Sequence, residues 1–191
     1  MPLSEKQFNL VDEPWIPIVG RGLASLREVF KESSFRSLGG NATQKISMMK
    51  LLLAIAQAAC MLKDAEHWRA MGAGGVAAAA NDYLEKKKDC FWLYGPNPFL
   101  QLPVSASAER QPIGAVNPSI ATGNTTVLTQ LQSERPWADA EKAQAVVLLL
   151  GFALGGKKTD NRIVFSPNYG AKCNDRGKPS TLSVVHPIVR E

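Results

Sequence analysis

Residues that ordinarily carry out catalysis are scarce in this sequence. It holds two histidines and three cysteines among 191 residues. Neither His67 nor His186 has a second histidine or a cysteine at the spacing of metal ligands, and no nucleophile is paired with a base. Asp12 and Glu13 are adjacent in an extended segment, so their side chains point to opposite faces. The sequence therefore predicts a protein with no enzymatic activity, no bound metal and no cofactor.

Cysteine clusters and phosphate-binding loops are missing as well. Cys60, Cys90 and Cys173 show no CxxC spacing, which argues against a disulfide framework or a cysteine-rich zinc site and predicts buried, unreactive thiols. The glycines at 72–75 do not fit the GxxxxGK[ST] pattern. The Gly-Gly-Lys-Lys-Thr run at 155–159 follows a predicted helix, so it lacks the helix N-terminus that would bind phosphate.

Long hydrophobic runs are absent too. The first residues lead into a charged, proline-broken segment where a signal peptide would have its apolar core. The longest strongly apolar stretch, 143–154, is too short to span a bilayer. The length, with 45% hydrophobic residues, suits one domain that buries its own core. We therefore expect a single cytoplasmic domain with no membrane contact.

Positive charge is concentrated near the end of the chain. Residues 155–191 contain seven basic and three acidic side chains, a net charge of +4, whereas the whole chain carries +5. A surface that faces a polyanion concentrates positive charge in this way. A basic tail that only improves solubility is the alternative interpretation.

The hydrophobic pattern predicts a mixed α+β fold in which helices dominate, with short strands and long loops. A short strand near the N-terminus, broken at Pro14 and Pro17, leads through a turn at Gly20 and Gly22 into a first helix. The strongest helix signal covers 44–71, with Thr43 as a plausible N-cap. Its apolar residues extend beyond one stripe, so we expect this helix to be central and buried on most sides.

The glycines at 72–75 break that pattern, and a further helix is predicted over 76–88, with lysines that complement its C-terminal dipole. Residues 91–94 and 125–131 have the composition of strands. Between them we predict a proline-bounded turn at 95–103 and a long loop at 105–124. The last predicted helix runs from Asp139, as its N-cap, to residue 154.

Three motifs carry a resemblance to a known family. They are FNLVDEPWIPI at 8–18 with SLREVF at 25–30, NPFLQ at 97–101, and GNTTVLTQ at 123–130. In this order and approximate spacing they resemble the N-terminal part of the large subunit of type I-E Cascade, the CRISPR RNA-guided surveillance complex. The first motif is the most specific. For its Trp15 and Pro17 we expect a role in core packing.

The resemblance implies where nucleic acid is bound. In the family, the loop that matches 124–130 inserts toward the CRISPR RNA 5′ handle and a neighbouring backbone subunit. Residues 169–178 occupy the place of a glycine-rich loop near the protospacer-adjacent motif (PAM), where flanking cations would contact phosphates. The candidate nucleic-acid-binding residues are Asn124, Thr125, Thr126, Val127, Leu128, Thr129, Gln130, Lys157, Lys158, Arg162, Gly170, Lys172, Asn174, Arg176, Gly177 and Lys178.

The resemblance also implies partners and a domain organisation. The partners would be other Cascade subunits, the CRISPR RNA and target double-stranded DNA, with a nuclease-helicase recruited by the full-length family. Family members are longer and end in a helical bundle, which has no counterpart in this sequence. The glycine run at 169–178 is also less dense than the family's. We expect one N-terminal domain, 1–191, with a basic, loop-rich tail at 155–191, as a fragment or a shortened form.

Two other functions stay open at this stage. The chain is also compatible with a protein–protein docking module, or a truncated competitor on Cascade, that does not touch DNA. The turn at 96–103 and the loop at 105–124 would then serve docking. A hydrolase would require a catalytic constellation that the sequence does not supply.

Overall fold

A computed structural model describes residues 5–101 and 136–151. These residues form the helix-dominated α+β fold that the sequence predicts. A one-turn 3-10 helix, Lys88–Cys90, lies between the third helix and the last strand. The elements in chain order are β1 (Gln7–Asn9), β2 (Ile16–Ile18), β3 (Gly22–Ala24), α1 (Leu26–Lys31), α2 (Ala42–Cys60), α3 (Ala65–Lys86), β4 (Trp92–Tyr94) and α4 (Asp139–Gly151).

The four strands form two small antiparallel sheets. β1 pairs with β4, with Asn9 opposite Trp92, so the N-terminal signature lies beside the NPFLQ segment. β2 and β3 form a hairpin in which Ile16 is opposite Ala24. Pro17 was predicted to break a strand, but it lies in the middle of β2. On the other side of β2, the Pro17 carbonyl accepts from the Gly39 N–H at 2.7 Å and Ile18 forms a bridge with Leu38.

The first signature motif forms the centre of the core. Trp15, Leu10 and Ile16 are among the largest side chains that are fully buried, together with Leu26 from α1 and Leu84 from α3. Apolar residues of α2, β4 and α4 complete the same cluster. The signature is therefore a packing motif, as predicted for Trp15.

The second half of the signature begins α1 with a capping box. The Ser25 hydroxyl accepts a hydrogen bond from the Glu28 backbone N–H at 3.2 Å, and the Glu28 carboxylate accepts one from the Ser25 N–H at 2.9 Å. Two backbone donors that the helix leaves unpaired are satisfied in this way. The Ser-x-x-Glu spacing was available in the sequence as a signal for this helix start.

The predicted helix over 44–71 is in fact two helices, and its predicted cap is wrong. Asn41, not Thr43, is the N-cap of α2, because its side chain accepts from the Gln44 N–H at 2.9 Å. α2 ends at Cys60, after which Met61 adopts a left-handed conformation with φ 43°. Asp64 then caps α3 by accepting from the His67 N–H at 2.7 Å.

The predicted glycine break appears as a kink inside α3. Gly72 has φ 64° and ψ 173°, a conformation that interrupts the helix and favours glycine. The helix therefore starts earlier than predicted, at Ala65, and continues through the kink to Lys86. Lys86 lies in the last turn, as the dipole argument predicts.

The prediction that the central helix is buried on most sides is wrong. α2 packs against α3 and α4, and its buried residues are Ser47, Met48 and Ile55. Three large apolar side chains, Ile46, Met49 and Leu53, are instead exposed. Met48, Leu51 and Ile55 widened the apolar pattern beyond one stripe, and of these Met48 and Ile55 are buried.

The helices within 5–101 and 136–151 differ from typical membrane spans. No single helix in these ranges is both long and apolar enough to cross a membrane. α2 and α3 together meet the length and composition criteria, with a bend of 108° between them.

An ion-pair network joins the signature segment to the end of α3. Asp12 accepts from Arg27 at 2.9 Å and pairs with Lys88, while Arg27 also donates to Glu85 at 2.6 Å. Burial raises the pKa of Asp12, but hydrogen bonds and charge from Lys88 and Arg27 outweigh burial and hold this pKa below its ordinary value of 3.8. The network therefore favours the folded state only while Asp12 is ionised.

A pH dependence of stability follows from the lowered pKa of Asp12. A carboxylate whose pKa is lower in the folded chain contributes stability at neutral pH, and this contribution is lost as the pH falls below about 4 through the folded pKa. We expect Asp12→Asn to lower the free energy of unfolding at pH 7 and to flatten its decline in acid. Urea unfolding between pH 7 and pH 3 measures this. The neighbouring Glu13→Gln, at an exposed carboxylate, is the control, and identical pH profiles for the two variants would contradict the expectation.

Candidate functional site

The NPFLQ segment forms a rigid turn at the end of β4. The Phe99 N–H donates to the Trp92 carbonyl at 2.7 Å, and the Phe99 ring stacks on Phe91 with 4.8 Å between ring centroids. Gln101 is buried, and its side-chain amide donates to the Leu93 carbonyl at 2.9 Å. Gln101, the last described residue before 102–135, is therefore held against β4.

Leu100 is presented outward at the tip of this turn. Its φ is 55°, a left-handed conformation that is unfavourable for a leucine. Its side chain is 44% exposed although it is apolar. Backbone strain of this kind persists only where neighbouring contacts enforce it, and Phe99 and Gln101 supply those contacts.

The chain returns to the same strand at residue 136. The Tyr94 hydroxyl, from β4, donates to the Asp139 carboxylate at 2.7 Å. Asp139 was predicted to be the N-cap of the last helix, but it is the first residue of α4. The Ala138 N–H before it donates to Glu141 at 3.0 Å. Both ends of the segment 102–135 are thus attached at β4, which we call the loop base.

A second exit point lies where α4 meets α2. The Lys50 ammonium donates to the Gly151 carbonyl at 3.0 Å. Gly151 is so close to α2 that a Cβ atom built on it would lie 2.4 Å from the Ser47 hydroxyl. The residues after 151 therefore start from a tightly packed helix pair.

Trp15 ties the signature to α4 and contacts no solvent. Its indole N–H donates to the Leu10 carbonyl at 2.8 Å, and its own carbonyl accepts from the Gln144 side chain at 2.8 Å. Trp15 is fully buried, whereas Pro17 is partly buried. The prediction that Trp15 packs in the core is confirmed.

The candidate nucleic-acid-binding residues lie outside the described ranges. Residues 124–130 belong to the segment 102–135, and the candidates from 157 to 178 follow residue 151. The predicted long loop at 105–124, the strand at 125–131 and the last turn of the helix to 154 lie outside them as well. The structure describes the two points at which these segments begin, namely the loop base and the end of α4. We call these two points the anchors.

Charge separates the described residues from the rest. Residues 5–101 and 136–151 carry 13 basic and 12 acidic side chains, so they are close to neutral. Since the whole chain has 22 basic and 17 acidic residues, almost all of the excess positive charge lies outside them. The described residues therefore carry almost none of the excess positive charge that a nucleic-acid surface needs.

The described part of the chain offers little to a metal ion or a small ligand. Residues 5–101 and 136–151 contain no group of three or more histidine, cysteine or acidic side chains that could hold a metal ion. Cys60 and Cys90 are free thiols, and Cys90 is exposed, so the prediction of buried thiols is wrong for it. A cavity of about 10 Å³ between β2, α2 and α4 has room for one water molecule and no larger ligand.

The described residues form an α+β domain in which the signature segment, β4 and α4 pack into one core. The family model for the CRISPR-associated protein Cse1 matches residues 9–186. The chain therefore belongs to the Cse1 family, as the sequence motifs indicated. It is 32% identical over 170 residues to the CRISPR-associated protein CasA/Cse1 of Thermus thermophilus, an alignment that covers 80% of this chain and 33% of that protein.

Solved structures show the same fold. The crystal structure of Thermobifida fusca Cse1 matches with a TM-score of 0.65 at 26% identity, over 79% of this chain and 31% of that one. The crystal structure of Thermus thermophilus CasA matches with a TM-score of 0.61 at 27% identity, over 81% and 32%. A chain of a structure described as a CRISPR RNA-guided surveillance complex has a TM-score of 0.59 at 16% identity, over 96% and 39%. The chain thus spans about a third of the length of these relatives.

Proposed function

We propose that the chain is a non-catalytic subunit of a CRISPR RNA-guided surveillance complex, where it helps to engage target double-stranded DNA near the PAM and contacts the CRISPR RNA 5′ handle. The observation that carries this proposal is the family match over 9–186, because that range includes both candidate segments, 124–130 and 157–178. The partners would be the other subunits, the CRISPR RNA and the target duplex, with a nuclease-helicase recruited to the full assembly in the cytoplasm.

The described residues support a model in which the core positions two segments and the segments bind nucleic acid. On either side of 102–135, Gln101 and Asp139 are both bonded to β4, and Lys50 bonds to Gly151 at the end of α4. Fixed ends reduce the conformational entropy that a loop loses on binding. The near-neutral core would then position the segments, and their cations would contact phosphates.

Charge reversal in the basic tail tests the proposed role of its cations. We expect Lys172→Glu, Arg176→Glu and Lys178→Glu together to weaken target-duplex binding by the surveillance complex assembled with this chain. The slope of log K against log salt should fall in magnitude by about 0.9 for each phosphate that the variant no longer neutralises. Binding titrations at four salt concentrations measure the slope.

The matched control reverses three exposed cations of the scaffold, Lys31, Arg36 and Lys63. This variant has the same net charge as the tail variant but keeps the tail intact. An unchanged slope for the tail variant, or an equal change in both variants, would contradict phosphate binding by the tail.

A second candidate function is a protein–protein docking module, or a truncated competitor on the complex, without DNA contact. The strained, exposed Leu100 favours it, because a rigidly held apolar side chain loses little entropy when a partner covers it. Retention of the backbone subunits in a pull-down, without DNA crosslinks to 155–191, would favour this function over the first.

A further inference from the structure

Ser47 of α2 carries a buried polar group that no protein group satisfies. The residue is 2% exposed, and its hydroxyl oxygen has no hydrogen-bond partner in the part of the chain that the structure describes. A serine inside a helix can donate to the carbonyl four residues earlier, here that of Thr43, but Ser47 does not do so. A buried hydroxyl without a hydrogen bond is destabilising, and nearly all such groups in folded proteins bond to protein or to ordered water.

The Ser47 side chain lies at the cavity between β2, α2 and α4. Ser47 is one of the residues that line this cavity, whose volume of about 10 Å³ is enough for one water molecule and too small for two. On the side of α4, Gly151 is so close that a Cβ atom built on it would lie 2.4 Å from the hydroxyl oxygen. The contact between the two helices therefore shields the hydroxyl from bulk solvent on that side.

Two glutamines in the wall of the cavity provide further hydrogen-bonding groups. The Gln144 Nε2 donates to the Trp15 carbonyl at 2.8 Å, and the Gln44 Oε1 accepts from the Asn41 N–H at 2.9 Å. Each of these bonds uses one end of a carboxamide, so the Gln144 Oε1 keeps its capacity to accept and the Gln44 Nε2 keeps its two donors. With the Ser47 hydroxyl, the wall offers three polar side chains, and a buried water molecule usually makes about three hydrogen bonds.

The chemistry of the wall favours water over an ion or an apolar molecule. None of the residues that line the cavity carries a charge, so nothing there offsets the cost of removing an ion from solvent. An apolar molecule would leave the Ser47 hydroxyl unsatisfied. Water both donates and accepts, which matches a hydroxyl and two carboxamides.

We propose that this cavity binds one ordered water molecule, which hydrogen-bonds to the Ser47 hydroxyl and to the carboxamides of Gln44 and Gln144. The water connects α2 with α4 next to Pro17 of the signature. It is a structural ligand at the junction where Gln144 also holds the Trp15 carbonyl. The proposal is independent of nucleic-acid binding, so a failure of the tail experiment leaves it standing.

A crystal structure of the 191-residue chain at high resolution tests the site directly. We expect one fully occupied water molecule about 3 Å or less from the Ser47 hydroxyl oxygen, with at least one of the two glutamines as a second partner. A cavity without a water peak would overturn the proposal. So would a Ser47 hydroxyl that donates to the Thr43 carbonyl, because the orphan group would then have a protein partner.

Oxygen-17 relaxation dispersion tests the site in solution. It counts the water molecules that stay bound for longer than the protein takes to tumble, and exchange of hydroxyl protons does not affect it. We expect the parent chain to hold one such water more than Ser47→Ala, because the variant removes one of the three partners. Ser33→Ala, at an exposed serine, is the control and should match the parent. Equal numbers in the parent and in Ser47→Ala would contradict the proposal.

The stability of Ser47→Ala distinguishes a hydrated hydroxyl from an unpaired one. If the hydroxyl were unpaired, the variant would be more stable, because alanine removes an unsatisfied group and is the better helix former. If the hydroxyl bonds to the water, its removal leaves that water with fewer partners, and we expect the equilibrium constant for unfolding to rise about threefold or more. Urea unfolding measures this constant, and Ser33→Ala should change it by about twofold at most. An unchanged or stabilised Ser47→Ala variant would overturn the proposal.

Discussion

Trp15→Ala is expected to remove about 3–5 kcal/mol from the free energy of unfolding, which is the usual cost of truncating a buried aromatic residue to alanine. The indole is fully buried at the centre of the signature. Its removal also leaves the Leu10 carbonyl without the 2.8 Å hydrogen bond that the indole N–H donates. Because small domains are stable by only about 5–15 kcal/mol, this single change brings the chain close to unfolding. Urea unfolding followed by circular dichroism measures the change.

Trp15→Phe separates the packing contribution of Trp15 from that of its hydrogen bond, and Trp68→Ala serves as a control. Trp15→Phe keeps most of the apolar volume but removes the N–H donor. The Leu10 carbonyl still accepts from the Leu26 N–H at 3.4 Å, so the lost hydrogen bond should cost about 0.5–1.5 kcal/mol, in addition to a packing cost. Trp68→Ala changes a tryptophan that is 47% exposed and should destabilise the chain clearly less than Trp15→Ala does. If Trp15→Ala were no more destabilising than Trp68→Ala, the central place of Trp15 in the core would be refuted.

Gly151→Ala is expected to destabilise the chain by about 1–3 kcal/mol, although alanine is the better helix former. The new Cβ atom would meet the Ser47 hydroxyl at 2.4 Å, the Ser47 Cβ at 2.8 Å and its Cα at 3.1 Å. The last of these is a backbone atom, so α2 and α4 must separate to admit the methyl group. Thermal unfolding of the variant measures this cost.

A double variant tests whether the close approach of α2 and α4 causes the destabilisation. Ser47→Gly removes the two side-chain atoms that the methyl group meets, so it should offset part of the Gly151→Ala destabilisation and give a non-additive cycle. Gly74→Ala in α3 has open space at its Cβ position and should stabilise the chain by up to about 1 kcal/mol. A stabilising effect of Gly151→Ala like that of Gly74→Ala would show that the helices do not touch there.

These two effects bear on function because both sites hold the anchors in place. Trp15 accepts from Gln144 of α4, and Gly151 ends the same helix. Under the proposed function, we expect both variants to lower the temperature at which the assembled complex loses target binding, because both loosen α4.

The fold class and most secondary-structure elements could be predicted from the local sequence. The turn glycines located the turn between β2 and α1, and helix periodicity located α2, but β3 and its hairpin with β2 were not predicted. The break between α2 and α3 was missed because residues 61–64 contain neither glycine nor proline. Met61 takes the left-handed conformation there, and Asp64 supplies an N-cap that resembles any other charged residue in the sequence.

The exposure of α2 could not be predicted by this kind of reasoning. Periodicity marked α2 as apolar on several sides, and burial was the natural inference. The structure leaves Ile46, Met49 and Leu53 exposed because α3 and α4 cover only part of the helix circumference. A sequence pattern records which side chains are apolar, but it does not record whether another element of the same chain is present to cover them.

The sequence by itself determined family membership, the α+β class and the segregation of positive charge, because motifs, periodicity and charge are properties of residue order. Only the tertiary structure decided that Trp15 links the signature to α4, that Tyr94 and Asp139 close the loop base, and that Ser47 lies against Gly151. The residues that these contacts join lie 45 to 129 positions apart in the chain. Their partners are selected by how whole elements pack, which no local pattern specifies.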